Sequence, residues 1–152
     1  MNNPPRLQIY FDDLRAGHAN FELFAPGETE GTLYGFYPES FDGEKEIFFD
    51  AGEVRGDRDR LNKIKDRPDL HLISGETTLS PRAYERLCAH LDEQRADPPR
   101  YRIAGSNRIE FIQAAYRYAL DDDAANFLEL FDRDALLRSS WVGPYALARY
   151  PF

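Results

Sequence analysis

Two short segments carry residues whose types and spacing can do chemistry. His18 stands between Gly17 and the alternating run Asn20-Phe21-Glu22-Leu23, where an imidazole at the mouth of a strand can act as a base. Further on, Tyr101 to Phe111 reads as a loop feeding the first turn of a helix, with Ser106, Asn107 and Arg108 at the opening. The free N–H groups and dipole of a helix N-terminus favour an anion and lower the pKa of a thiol placed there. A base on a strand facing a helix terminus is the minimum for nucleophilic acyl transfer. A third polar group often orients such an imidazole, and Tyr34 is the available candidate.

Other chemically capable residues have plainer readings. Cys88 is the only cysteine, so no internal disulfide exists, and it falls on the apolar stripe of a helix, where a free cysteine acts as a small hydrophobe. His71 alternates into a strand and reads as structural or exposed; His90 reads as part of a polar helix face. Tyr34, Phe36 and Tyr37 form an aromatic run that reads as core and pocket wall, with a carbohydrate-stacking platform as the alternative. Asp12-Asp13 and Asp121-Asp122-Asp123 read as caps and solvated faces. No Cys/His cluster has metal-ligand spacing, so neither a metal nor another cofactor is expected.

The elements that must position these residues follow from periodicity and punctuation. Gln8–Phe11 and Asn20–Phe24 read as strands, the second closed by the turn Ala25-Pro26-Gly27. Gly31–Tyr37 is a further strand-like run, so a hairpin is expected between them. The stretch from Phe41 to Lys65 reads as a long surface loop holding one short strand around Ile47-Phe48-Phe49. Leu70–Ser74 is another strand. Ser80-Pro81 opens a helix as N-cap and first helical residue, with Tyr84, Leu87, Cys88 and Leu91 at helical spacing and Asp97-Pro98-Pro99 as its stop. A second helix is expected from Asn107 to Leu120 and a third from Asp121, carrying Phe127, Leu128, Phe131 and Leu136. The tail from Trp141 to Phe152 is aromatic and should pack back on the body. Four or five strands and about three helices, segregated rather than alternating, make an α+β fold: a small antiparallel sheet packed against the helices, in a single domain over residues 1–152.

Composition bounds the function classes. The chain has 152 residues, 42% hydrophobic and 14% aromatic, which is enough for one folded core. Its net charge of -8 argues against nonspecific nucleic-acid binding, which needs clustered Lys and Arg. No apolar run approaches the ~20 residues of a membrane span. The N-terminal Met1-Asn2-Asn3-Pro4-Pro5-Arg6 lacks the apolar stretch of a signal peptide, so synthesis in the cytoplasm is expected, with export open by a route without a classical signal.

The order of these motifs resembles the permuted papain-like thiol hydrolases, in which the histidine strand precedes the cysteine helix. In those families the second segment carries Asn-Cys-x-x-Phe; the same frame here is Asn107-Arg108-Ile109-Glu110-Phe111. Gly35-Phe36-Tyr37-Pro38-Glu39 is similar to the Gly-Phe-Tyr-Pro segment of bacterial members, many of them domains of secreted or interbacterial toxins. Ser80-Pro81-Arg82-Ala83-Tyr84 is similar to their Ser/Thr-Pro-x-x-Tyr helix. The resemblance spans about Leu14 to Ala119. It implies a catalytic role for the positions of His18 and Arg108, with Tyr34 as orienting group and Ser106, Asn107, Tyr37 and Glu39 lining the cleft. It also implies a peptide, peptidoglycan or lipid substrate, and an immunity or secretion-system protein as partner. Arg108 breaks the pattern. A guanidinium stays protonated and cannot attack a carbonyl, and its charge opposes the helix dipole by ~0.3–1 kcal/mol. Ser106 is offset from the nucleophile frame and would misaim its hydroxyl. The expectation is therefore a thiol-hydrolase domain without its nucleophile, inactive as written; the alternative is a natural pseudoenzyme or an immunity-type partner-binding module using the same cleft.

Overall fold

In the computed structural model, residues 3–12, 18–39, 49–56, 58–66, 72–102 and 108–132 are described. Strands β1 (Arg6–Asp12), β2 (His18–Phe24), β3 (Thr32–Pro38), β5 (Gly52–Arg55) and β6 (Leu72–Thr78) form one antiparallel sheet in the order β5-β3-β2-β1-β6. Two short strands, β4 (Phe49–Asp50) and β7 (Tyr101–Arg102), pair as a separate ribbon. Helices α1 (Arg58–Lys65), α2 (Pro81–Ala96) and α3 (Arg108–Leu120) and a 3-10 turn over Phe127–Leu130 complete the described chain. The α+β class and the antiparallel sheet follow the sequence expectation.

Alternation along the central strands sorts residues between two faces of the sheet. Leu7, Ile9 and Phe11 of β1 and Ala19, Phe21 and Leu23 of β2 join one large core with α2, α3 and the 3-10 turn. On the other face, Tyr10 and Leu33 pack with Leu61 of α1 in a smaller cluster. The β2–β3 connection is a turn of the Pro-Gly type: Pro26 is followed by Gly27 at φ 81, and the Glu28 amide donates to the Ala25 carbonyl at 3.1 Å. Gly75 faces Ile9 across β1–β6, and a Cβ there would lie 2.6 Å from the Leu130 carbonyl oxygen, so only glycine lets the 3-10 turn sit this close.

α2 begins as its sequence dictates. Ser80 caps it by accepting from the Ala83 amide at 3.1 Å, Pro81 occupies the first turn, and Ala83, Leu87 and Leu91 are buried. α3 buries Ile109, Phe111, Ile112, Ala115, Tyr116 and Ala119.

Two expectations are corrected. The polar stretch read as loop contains β5 and the eight-residue α1. Few apolar residues mark α1, and its attachment comes from Leu61 and from an arginine described below. The helix expected from Asp121 is absent over the described residues. Asp121 takes φ 53, ends α3 in the left-handed region, and is followed by the 3-10 turn, which Asn126 caps through the Leu128 amide. Leu136, the tail from Trp141, and Leu70 and His71 lie outside the described residues.

Candidate functional site

His18 is the first residue of β2 and Arg108 the first of α3. α3 packs across β2 and β3. Phe111, one turn into α3, has its ring centroid 5.7 Å from Phe21 and 5.8 Å from Phe36, and Phe36 lies 5.6 Å from Tyr101. Phe21 pairs with Tyr34 across β2–β3; carrying that register on by two residues brings Phe36 level with Ala19. Phe111, at the close of the first turn of α3, therefore packs on the core face of the sheet, against the middle of β2 and against Phe36 of β3. The backbone of His18 pairs with Asp12, and by pleat parity its register position falls in the row of Asn20 and Glu22. The side chains of His18 and Arg108, and the whole of Ser106 and Asn107, lie outside the described ones.

Tyr34 sits in the core-facing row, stacked on Phe21 at 5.5 Å, with the Arg95 guanidinium 5.4 Å from its ring centre. Burial pushes its phenol above the ordinary value. Its level on the sheet is three residues from that of His18, about 10 Å by strand rise. Tyr37 is buried, with the Arg55 guanidinium 4.6 Å over its ring. Glu39 is exposed and its amide donates to the Ala51 carbonyl at 2.7 Å.

Near the α3 opening is a cavity of about 220 Å³ lined by Phe36, His90, Gln94, Pro99, Glu110, Phe111 and Ala114. The sequence assigned His90 to a polar helix face. The structure half-buries it, stacks it on Tyr118 at 4.6 Å and leaves Nε2 buried without a hydrogen-bond partner; burial depresses its pKa and favours the neutral ring. Cys88 is partly buried against the core beside Tyr84. Burial pushes its thiol up, aided by Asp92 and Glu85, against a hydrogen bond with Tyr84. Tyr84 itself is pushed up to about 12, chiefly by burial and then by that bond.

A third cluster, on the opposite face of the sheet, was not read from the sequence. Glu22 is buried, and its carboxylate accepts from the Tyr10 hydroxyl at 2.8 Å and the Gly31 amide at 3.0 Å, with Arg58 Nη2 at 2.9 Å. Arg58 Nη2 also donates to the Gly31 carbonyl at 2.9 Å. Burial opposes ionisation of Glu22, but the bonds from Arg58, Tyr10 and Gly31 outweigh it and hold the carboxyl below its usual range. Tyr10 is raised by burial and by its bond to that carboxylate. Arg58 so fastens α1 to the sheet and to the end of the β2–β3 connection. A usable signal existed: Glu22 alternates with Phe21 and Leu23 at the centre of a strand, where a carboxylate needs a partner if anything covers that face.

Among the described residues no group of His, Cys, Asp and Glu is arranged to hold a metal ion, and no helix is long and apolar enough to cross a membrane. No family model, no curated protein and no solved structure matches the chain.

Proposed function

We propose that this α+β domain has the permuted papain-like arrangement, with His18 as the base and Arg108 at the position of the nucleophile. The observation that supports this reading is that α3, which Arg108 opens, docks through Phe111 on Phe21 of β2, the strand that His18 opens, and on Phe36 of β3. Acyl transfer from a thiolate requires a base within reach of the helix N-terminus that holds the thiolate; His18 opens β2 in the register row of Asn20 and Glu22, so that reach has to be made round the strand end.

With arginine at the terminus, no thiolate forms there, so the chain as written has no turnover on amide, ester or thioester bonds. The reading inherits from the sequence resemblance a bacterial effector role, with peptide, peptidoglycan or lipid as substrate class and an immunity or secretion-system protein as partner. The pseudoenzyme alternative keeps the same cleft and uses the Arg108 guanidinium to bind a carboxylate or phosphate.

Expression of the Arg108→Cys chain in bacteria, in the cytoplasm and separately in the periplasm, tests the choice. The effector reading expects slowed growth in at least one compartment, relieved by adding His18→Ala. A folded Arg108→Cys chain that is harmless in both compartments favours the pseudoenzyme.

A further inference from the structure

The sheet face opposite the main core carries a recess of about 350 Å³ lined by ten residues of β1, β2, the β2–β3 connection and α1. The recess is separate from the proposed thiol-hydrolase cleft. Its size falls in the range of small-molecule sites, roughly 300–1,000 Å³. One wall is the Tyr10–Glu22–Arg58 cluster, fixed by bonds at 2.8 to 3.0 Å and so pre-organised. Arg58 spends Nη2 on Glu22 and Gly31, and Nε faces Glu30 at 4.0 Å, while Nη1 has no partner among the described residues.

Lys65, in the last turn of α1, holds its ammonium 5.0 Å over the Tyr10 ring with no carboxylate within ion-pair reach among the described residues. The side chains of Gln8, Thr29 and Asn62 also line the recess and make no hydrogen bond to another described residue. A chain of net charge -8 repels anions on average. An ammonium and a guanidinium edge without a carboxylate partner among the described residues, together in one polar recess, run against that average. They are the groups that hold a phosphate or carboxylate, and the neutral amides and hydroxyl beside them suit the hydroxyl groups of a ligand body.

We propose that this recess binds a small organic anion bearing hydroxyl groups, of the sugar-phosphate type, with Lys65 and Arg58 on the anionic head and Gln8, Thr29 and Asn62 on the hydroxyls. The inference stands on the recess alone and is independent of the hydrolase reading.

Titration of the intact chain with glucose 6-phosphate, inorganic phosphate and glucose, followed calorimetrically and by the side-chain amide NMR signals of Gln8 and Asn62, tests it. Glucose 6-phosphate should bind at low salt, weaken as salt is added, and shift both amide signals. Lys65→Met should weaken binding about tenfold, as for loss of one hydrogen bond to a charged group, and Lys65→Glu should abolish it, each with only a small fall in melting temperature from the lost Tyr10 ring contact, because Lys65 is exposed. Inorganic phosphate binding as tightly as the sugar phosphate supports an anion site for free phosphate; clearly weaker phosphate binding supports the hydroxylated ligand. The proposal is overturned if glucose binds as well as its phosphate, if Lys65→Glu leaves binding intact, or if the Gln8 and Asn62 signals stay still.

Discussion

The rings of Phe21 and Phe111 stack with centroids 5.7 Å apart and planes 20° from parallel. This contact joins the strand that His18 opens to the helix that Arg108 opens. Phe111 is buried against Phe36 as well, so its truncation opens a cavity between helix and sheet. Phe111→Ala should cost about 3–5 kcal/mol, read as a lower urea midpoint at unchanged slope. A loss well under 1 kcal/mol would mean that α3 does not dock on β2 as described.

Glu22 ties the second face together, and its linkage has a definite sign. Its folded-state pKa is depressed, so the stability it adds is complete above the unfolded value of roughly 4.3 and disappears as pH falls through the lower folded value. Glu22→Gln should cost about 1.5–3 kcal/mol near neutral pH, the worth of hydrogen bonds to a charged group. Chemical denaturation across the acid range should show wild type and variant converging as Glu22 becomes protonated. A gap that stays constant down to strongly acid pH contradicts the buried ion pair.

How far the sequence could be read depended on where the apolar signal lay. The cap and stop of α2 and the alternation of β1, β2 and β3 are written in local residues, and the structure places them within a few positions of expectation. α1 was missed because its burial rests on Leu61 and on the Arg58–Glu22 pair, a contact far apart in sequence that no periodicity announces. Asp121 misled because a carboxylate run suits a helix start as well as it suits the turn that ends one; its left-handed φ decides between them. Of the site, the strand position of His18 and the helix position of Arg108 were legible. The half-buried state of His90 was not, because it depends on Tyr118 across the α2–α3 contact.

Cys88 should behave as a core thiol. Its pKa is raised by burial and nearby carboxylates, which lowers the thiolate fraction at neutral pH. Alkylation of the native chain by iodoacetamide should run several-fold slower than that of a cysteine in a short peptide, and His18→Ala should leave the rate unchanged. Fast labelling that depends on His18 would falsify the placement of the nucleophile at position 108.

The permuted papain-like arrangement requires His18 and the α3 terminus to act on one atom. The direct measurement is the pH dependence of alkylation of Arg108→Cys in a Cys88→Ser background, with and without His18→Ala. A thiol set on the helix N-terminus within reach of His18 should titrate well below the ordinary value of about 8.5, and His18→Ala should move it back up. A thiol that titrates at or above the ordinary value, indifferent to His18, contradicts the account and leaves the two residues as separate ends of a strand and a helix.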